Sequence, residues 1–170
     1  MKTSDIRHAE FPRDMPELTR LCHAYRAQFA TLGPEVVRAI DTFYPLETYD
    51  ALIASLPEKH ARPKGCIVVV EAGDVLLGCG MIQPINDADA EIKRVFIDPV
   101  AQGTGVGARL SQMLIDQARA DGYARILLDT TRVSTPAQRL YEKLGFAARG
   151  PYAEMPDDME NVLVYYEMKL

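Results

Sequence analysis

The amino-acid sequence predicts an α/β (α+β) fold, with a mixed, mostly antiparallel twisted sheet of about six to seven strands and helices on both faces. Three observations lead to this prediction. Residues 14–57 repeat apolar side chains at helical spacing, and residues 66–97 contain β-branched runs separated by short turns. Beyond residue 97, helical and strand patterns alternate. Closely spaced strands pair as hairpins, whereas strands joined through a helix lie parallel, so the sheet is expected to be mixed.

Length and composition predict one domain over residues 1–170, because no Pro/Gly/Ser-rich linker divides the chain and its length allows a sizeable core. Hydrophobic residues make up 48% and charged residues 25%, values usual for a globular protein in water. The formal charge of −5 argues against a nucleic-acid partner, which would need a basic face. The most apolar stretch, Cys66–Ile82, is too short and too often interrupted by charge to indicate a membrane partner.

The cysteines and histidines give no metal-binding pattern. Cys22, Cys66 and Cys79 are odd in number and form no CxxC or Cys/His cluster, and the three histidines are scattered. A disulfide framework, a zinc site or any other metal site is therefore not expected. Reduced thiols and the lack of an apolar signal core at the N-terminus predict a cytoplasmic protein.

The chain is predicted to begin with a weak strand over Ser4–Glu10 and to continue with a strong amphipathic helix. Five apolar residues follow Asp14 on one helical face: Leu18, Leu21, Cys22, Tyr25 and Phe29. Asp14 and Glu17 have the spacing of an N-terminal capping box. Gly33-Pro34 is expected to end this helix, because the pair disfavours helical continuation.

Two short helices and a hairpin are expected next. The helices are predicted over Glu35–Ile40 and over Tyr49–Leu56, with Pro57 as the end of the second. The β-branched run Cys66–Glu71 and the apolar run Val75–Ile82 are separated by a short glycine-containing turn, which is typical of a hairpin.

The last part of the chain alternates strands and helices. The helix after the third strand is expected to end at Gly122, and the next begins with a Thr135–Gln138 capping box and ends at Gly145. The predicted elements are strand Ala90–Ile97, helix Gly105–Asp121, strand Ala124–Thr130, a helix over 135–145, and strands Ala147–Tyr152 and Val162–Met168.

The stretch Glu91–Gly107 changes abruptly from strand to helix spacing through a glycine-rich turn, with glycines at Gly103, Gly105 and Gly107. A helix N-terminus offers unpaired backbone N–H groups and partial positive charge, and glycines let an anion approach them closely. The turn therefore predicts a diphosphate-binding site, although the same glycines would also serve a tight turn alone.

Spacing separates this turn from two other phosphate-binding motifs. A P-loop requires Lys-Ser/Thr after its last glycine, whereas Ala108-Arg109 follow Gly107 here. A dinucleotide fingerprint reads GxGxxG, whereas residues 103–107 read GxGxG and come late in the chain. A dinucleotide-binding oxidoreductase therefore stays as a weaker alternative.

Two motifs resemble those of the GNAT acetyltransferase superfamily. Gln102–Gly107 is similar to its acyl-CoA signature, (Arg/Gln)-x-x-Gly-x-(Gly/Ala), and Leu140–Phe146 (LYEKLGF) is similar to its LYxKxGF segment. One helix and one strand separate the two, as in the family, and the resemblance is firm over about residues 65–147. It implies a GNAT-like acyl-CoA N-acyltransferase fold with acetyl-CoA as co-substrate and no metal.

The same resemblance implies how the co-substrate is held. The backbone of the strand would pair with the pantetheine arm through Val95, Phe96 and Ile97. Backbone N–H groups of the turn would hold the pyrophosphate, from Gln102, Gly103, Thr104, Gly105, Val106, Gly107 and Ala108. Ser134 occupies a position where many members carry Asn, and it is expected either to contact the cofactor arm or only to cap the next helix.

Acyl transfer from a thioester requires a neutral amine, and a free alkylamine is mostly protonated at neutral pH, so a general base helps. Glu91 is the first candidate for this role; the alternative is a strand-start charge paired with Lys93 or Arg94. Asp129 is a second candidate. The resemblance implies that Tyr141 protonates the departing thiolate, although its apolar neighbours would also suit a core tyrosine. A backbone N–H near Val95 is expected to stabilise the oxyanion.

The acceptor is predicted only as a primary amine of a small molecule or peptide. The early helices and the last strands would wall its site, and they carry aromatic and acidic residues: Tyr25, Phe43, Tyr44, Tyr49, Tyr152, Glu154, Asp157, Asp158 and Glu160. The acidic run would attract a cationic amine or would simply be a solvated loop. A homodimer is expected from similar proteins, but no residue specifies its interface. The main alternative function is a catalytically silent acyl-CoA-binding sensor.

Overall fold

The computed structural model describes residues 4–154, 156 and 161–170. It contains five α-helices, seven strands and one 3₁₀ turn, Pro99–Ala101. In chain order the helices and strands are β1 Asp5–His8, α1 Met15–Phe29, α2 Pro34–Phe43, α3 Leu46–Lys59, β2 Cys66–Ala72, β3 Val75–Pro84, β4 Asp89–Ile97, α4 Val106–Ala120, β5 Arg125–Thr131, α5 Thr135–Leu144, β6 Ala147–Arg149 and β7 Leu163–Lys169.

The seven strands form one sheet in the order β1-β2-β3-β4-β5-β7-β6. Every neighbouring pair is antiparallel except β4 and β5, which are parallel. The exception follows from α4, because a crossover helix returns the chain so that the next strand runs in the same direction. The predicted mixed, mostly antiparallel sheet is confirmed.

Both faces of the sheet are covered, as the β-branched run of β2 requires. Val68 and Val70 belong to a core beneath α4, together with Leu110 and Leu114. The alternate residues of β2 belong to a second core beneath α1 and α3, whose members include Ile67, Val69, Leu18, Leu21 and Ile53. A strand that is buried on both faces has no polar alternation, which explains the continuous apolar pattern of Cys66–Val70.

The parallel pair β4–β5 is short, and this opens the sheet. Only three residue pairs match, Asp89 with Arg125, Ala90 with Ile126 and Glu91 with Leu127. Beyond them β4 continues along β3 to Ile97, while β5 continues along β7 to Thr131. The backbone edge of β4 that faces β5 therefore has no strand partner after Glu91.

α2 and α3 are longer than predicted, and at two helix ends the predicted signals are overridden by other contacts. Asp14 does not cap α1; its carboxylate accepts from Arg7 Nη1 at 2.6 Å and from the Glu10 backbone N–H at 2.7 Å. α3 does not end at Pro57 but runs to Lys59, and the His60 N–H closes the last turn on the Leu56 carbonyl at 2.9 Å.

The helix α5 also begins without its predicted capping box. The side chain of Gln138 donates instead to the carbonyls of Thr131 at 3.1 Å and Arg132 at 2.8 Å. These bonds hold the loop between β5 and α5 against the first turn of the helix. Proline at position 136 still occupies the first turn, where its missing N–H costs nothing.

His60 is a buried neutral histidine that makes stability depend on pH. Its Nδ1–H donates to the Ile82 carbonyl at 2.8 Å, and its Nε2 has no partner among the described residues. Burial lowers the pKa of His60 to about 4. Because the unfolded state binds a proton near pH 6.5 and the folded state does not, stability is lost as pH falls from about 6.5 towards 4.

We expect the stability advantage of the wild type over a His60→Asn variant to shrink by about 3 kcal/mol between pH 7 and pH 4. Asparagine keeps a donor near the Nδ1 position but does not titrate. Urea unfolding of both proteins at several pH values measures the difference between their free energies of unfolding. The carboxylates titrate in the same way in both proteins, so their contribution cancels in this difference. Parallel stability curves for the two proteins would contradict this assignment.

No helix in the described ranges is long and apolar enough to cross a membrane.

Candidate active site

A cavity of about 1130 Å³, here called the cleft, lies where β4 and β5 separate. One part of its wall comes from the end of β4, the glycine turn and the start of α5. The other part comes from α1, α2, β5, β7 and the loop after β6. The gap in the sheet therefore leaves one large space between the glycine turn and the early helices.

The glycine turn presents a row of unpaired backbone N–H groups. Gly103 and Gly105 have φ values of 76° and 81°, a left-handed conformation that glycine adopts without steric cost. Among the described groups, the N–H groups of residues 103–108 have no acceptor, and the α4 ladder begins with Arg109 N–H, 3.2 Å from the Gly105 carbonyl. Together with the partial positive charge of a helix N-terminus, this row suits a bound diphosphate.

Hydrogen bonds from two side chains of the turn to preceding backbone carbonyls hold its conformation. The Gln102 side chain donates to the Ile97 carbonyl at 2.9 Å, and the Thr104 hydroxyl donates to the Ala101 carbonyl at 2.7 Å. The Gln102 N–H makes a long bond of 3.3 Å to the Pro99 carbonyl, so it is the one predicted donor that already has a partner.

A side chain at residue 103 or 105 would meet no protein atom within 4 Å, and both glycines line the cleft. The residues present thus fit a diphosphate-bearing co-substrate.

The cleft brings together most of the residues predicted from the sequence. These are Glu91, Val95, Ile97, Gln102, Gly103, Gly105, Gly107, Ala108, Ser134 and Tyr141. Phe96, Thr104 and Val106 do not line it. The centroid of the Phe96 ring lies 6.4 Å from that of Tyr25, and Val106, the first residue of α4, is buried in the core between this helix and the sheet. Their predicted contacts are made by backbone groups, and these contacts stay predictions.

Ser134 does not cap α5 with its side chain. Its hydroxyl lies 2.6 Å from the hydroxyl of Thr131, at the edge of the cleft. The prediction that the Ser134 side chain caps α5 is therefore wrong. The contact of Ser134 with the cofactor arm stays a prediction.

Tyr141 is both a packed tyrosine and a cleft residue. Its ring lies 5.7 Å from Phe146 and 6.5 Å from Tyr166, and the residue is only 6% exposed. No described residue makes a hydrogen bond to its hydroxyl. Burial, followed by the charge of Asp129, raises its pKa. The hydroxyl therefore keeps its proton at neutral pH and is available as a donor.

Glu91 lies in a buried polar cluster with Asp129, Lys93, Tyr152 and Gln83. Its Oε1 accepts from Lys93 Nζ at 2.7 Å and from the Tyr152 hydroxyl at 2.8 Å, and its Oε2 accepts from Gln83 at 2.9 Å. Asp129 shares the same two donors, with Lys93 at 3.4 Å and Tyr152 at 3.2 Å. The two predicted base candidates are thus neighbours, and Glu91 is paired with Lys93 rather than exposed.

The protonation states in this cluster follow from burial and charge. Burial acts to lower the pKa of Lys93, but Asp129, Tyr44 and Glu91 outweigh it, so the pKa is raised and the ammonium form persists. Burial, and then the charges of Asp129 and Glu91, raise the pKa of Tyr152. Because a tyrosine hydroxyl has one hydrogen, Tyr152 donates to one of the two carboxylates at a time.

The sequence interpretation named Lys93 as an ion-pair partner of Glu91, and the structure contains this pair. Residues two apart on a strand share a face, which explains why the pair could be expected from the sequence. The interpretation missed Gln83 and the contact of Tyr152 with Glu91. The Tyr152 contact could not be expected, because this residue reaches Glu91 from a loop 61 residues further along the chain.

The predicted acceptor wall is only partly correct. Tyr25, Phe43, Tyr44, Tyr152 and Glu154 line the cleft. Tyr49 does not; it is 1% exposed and its hydroxyl donates to the Cys22 carbonyl at 2.9 Å, so it belongs to the core. Three of the predicted acidic residues lie outside the described residues, Asp157, Asp158 and Glu160. Within the described ranges, no group of three His, Cys, Asp or Glu side chains could hold a metal ion.

Comparison with known proteins agrees with the fold and the glycine turn. The sequence model of the acetyltransferase (GNAT) family matches residues 20–146. An IAA acetyltransferase from Azospirillum brasilense is 33% identical over 125 residues, which cover 73% of this chain and 80% of the relative. The chain therefore belongs to the GNAT family of acetyltransferases, and the resemblance drawn from its two motifs is confirmed.

Solved structures show the same fold at low sequence identity. An acetyltransferase from Streptococcus agalactiae has a TM-score of 0.76 at 21% identity, over 100% of both chains. PaiA N-acetyltransferase from Thermoplasma acidophilum, solved in complex with coenzyme A, has a TM-score of 0.73 at 17% identity, over 99% of both chains. The dinucleotide-binding alternative is replaced by this family assignment.

Proposed function

We propose that the protein is an N-acetyltransferase, formed by residues 1–170 as one domain, that transfers the acetyl group of acetyl-CoA directly to a primary amine of a small molecule or peptide. A single observation carries the proposal. The unpaired N–H groups of the glycine turn and the hydroxyl of Tyr141 open into one cleft that is large enough for two substrates. Both substrates are bound together in a ternary complex.

The co-substrate occupies the half of the cleft next to α4. Its diphosphate accepts hydrogen bonds from the unpaired N–H groups of residues 103–108. Its pantetheine arm lies along Val95–Ile97, where β4 has no partner strand on the side facing β5. An extended arm satisfies the free backbone groups of such an edge in the way that an added strand does. Ser134 contacts the arm at the start of α5.

Starting from the protonated amine, the nitrogen must lose two protons and the sulfur must gain one. The ammonium form loses its first proton to the cluster that contains Glu91, directly or through the Tyr152 hydroxyl or water, and this proton passes on to solvent. The neutral amine then attacks the thioester carbon, and the nitrogen of the tetrahedral adduct loses its second proton by the same route. A backbone N–H near Val95 stabilises the charge that develops on the thioester oxygen. The carbon–sulfur bond breaks, and Tyr141 donates its proton to the departing thiolate.

A catalytically silent acyl-CoA sensor is the second candidate. One observation favours it, because all three hydrogen bonds to Glu91 come from the protein itself and leave this carboxylate strongly engaged. A sensor would use the same glycine turn and would need no acceptor amine.

A thiol-release assay with acetyl-CoA and a broad panel of primary amines separates the two candidates. We expect thiol release and a matching acetylated amine, detected by mass spectrometry, for at least one class of amine. Tight acetyl-CoA binding by calorimetry, without thiol release for any amine, would contradict the enzyme and support the sensor.

We expect Glu91→Gln to lower kcat/KM for the best amine about 10²-fold, because the substitution keeps the shape but removes the proton acceptor. The defect is expected to decrease as pH rises towards 10, where more of the acceptor is already neutral. Rate profiles over pH measure this, with Asp129→Asn as the matched control for loss of a carboxylate in the same cluster. A Glu91→Gln enzyme with normal rates at every pH would exclude Glu91 as the base.

A further inference from the structure

Arg94 occupies an irregular position in β4. Cys79 pairs with Phe96 and Met81 pairs with Lys93, so one residue of β3 faces both Arg94 and Val95. This is a β-bulge, in which β4 has one residue more than β3. The extra residue interrupts the regular alternation of side chains between the two faces of the sheet. Arg94 has a φ of 50°, the one positive φ among the described residues other than glycine. Such a conformation is uncommon for a long side chain and often marks a functional position.

The guanidinium of Arg94 is buried, and no described residue provides it with an anionic partner. The residue is 6% exposed, and its Nε has no hydrogen-bond partner among the described residues. Its nearest aromatic contact is the face of Tyr44, with Cζ 4.7 Å from the ring centroid. No carboxylate of the described ranges lies within 4.0 Å of it, whereas the neighbouring Lys93 contacts both Glu91 and Asp129. An unpaired buried charge is costly, so a site that retains one is expected to receive an anion.

Arg94 faces the half of the cleft that the co-substrate does not use. It lines the cavity together with aromatic residues of α1, α2 and the following loop: Tyr25, Phe29, Phe43 and Tyr44. It also directly precedes Val95, where the thioester is placed by the proposed function. The acceptor half of the cleft therefore has aromatic walls, a guanidinium without a carboxylate partner among the described residues and, next to Lys93, the carboxylates of Glu91 on β4 and Asp129 on β5.

We propose that Arg94 binds a carboxylate of the acceptor, so that the acceptor is an amino carboxylate with an apolar or aromatic body, such as an α-amino acid. This inference rests on the proposed function. A guanidinium holds a carboxylate through two parallel hydrogen bonds, while the amine of the same molecule faces Glu91 and Asp129. A phosphate dianion fits less well, because those two carboxylates would repel its second charge. A peptide N-terminus lacks the carboxylate beside its amine.

Matched acceptor pairs test the inference. Thiol release is measured with leucine, phenylalanine and tyrosine against the corresponding decarboxylated amines, isoamylamine, phenethylamine and tyramine. For the wild type, we expect kcat/KM to favour at least one amino acid over its amine by about tenfold or more, the scale of a charge-assisted bidentate contact. Arg94→Met is expected to bring this ratio close to one, and Arg94→Lys to give an intermediate ratio.

Two controls distinguish loss of carboxylate recognition from loss of the folded structure. Arg139→Met removes an exposed arginine of α5 that does not line the cleft, and it is expected to keep the wild-type ratio. Calorimetric titration with acetyl-CoA shows whether Arg94→Met remains folded. A wild-type preference for the decarboxylated amines, or an Arg94→Met variant that loses activity equally on both members of a pair, would overturn the proposal.

Failure of the proposed function is distinguished by a binding measurement. If no amine gives thiol release, the three amino acids are titrated into coenzyme A-loaded protein by calorimetry. Binding by the wild type that Arg94→Met loses would retain the carboxylate site and reject only acyl transfer. Absence of binding by the wild type would overturn the carboxylate site as well.

Discussion

Replacing Tyr141 with phenylalanine is expected to lower kcat about 10²-fold at saturating acetyl-CoA, the lower end of what a general acid contributes. The hydroxyl is the only group that the substitution removes. Its raised pKa keeps the hydroxyl protonated at neutral pH, so its hydrogen is present when the thiolate departs. The ring contacts with Phe146 and Tyr166 are retained, so the fold and the affinity for acetyl-CoA should change little.

The measurement is steady-state thiol release together with calorimetric titration of acetyl-CoA. Tyr166→Phe is the matched control, because Tyr166 is buried beside Tyr141 but its hydroxyl bonds Glu142 at 3.1 Å outside the cleft. The control should retain wild-type turnover. An unchanged rate in Tyr141→Phe would remove this tyrosine from the mechanism.

Replacing Gly105 with valine is expected to weaken acetyl-CoA binding by about tenfold or more. Its φ of 81° is unfavourable for a β-branched residue, so the turn would relax and misdirect the N–H groups that follow it. No protein atom lies within 4 Å of the added Cβ, so the expected loss of affinity comes from the backbone of the turn and not from a clash within the protein.

Gly122→Val provides the control for backbone strain. Gly122 has a φ of 82° and likewise no neighbour within 4 Å of an added Cβ, but it lies at the far end of α4. Both variants should lose similar stability in thermal unfolding, whereas only Gly105→Val should lose affinity in calorimetry. A normal dissociation constant for Gly105→Val would reject the glycine turn as the diphosphate site.

The glycine turn and the α5 segment could be predicted because each is specified locally. Gly103 and Gly105 adopt the left-handed conformations that glycine permits, and the next residues begin α4. Leu140–Phe146 similarly contains its own helix end, since Gly145 has a φ of 100°. Their order along the chain, one helix and one strand apart, was enough to indicate a GNAT protein.

Local patterns failed where a group from another element competed for the same side chain. Asp14 had capping-box spacing, but Arg7 from β1 holds its carboxylate. Tyr49 had the composition of a substrate wall, but its hydroxyl reaches the Cys22 carbonyl in the core. In both cases a contact from another element satisfies the polar group, and helical spacing or composition does not reveal such a contact.

The sequence by itself determined the class of fold, the anion-binding turn and the tyrosine opposite it, because hydrophobic spacing and glycine conformation act over a few residues. Only the tertiary structure decided the cluster of Glu91, Lys93, Asp129 and Tyr152, and the isolation of Arg94 from all described carboxylates. Both depend on where β4 leaves β5 and on the bulge in β4. Strand register and bulge position are set by packing on both faces of the sheet, so they bring together charges that are far apart in the chain.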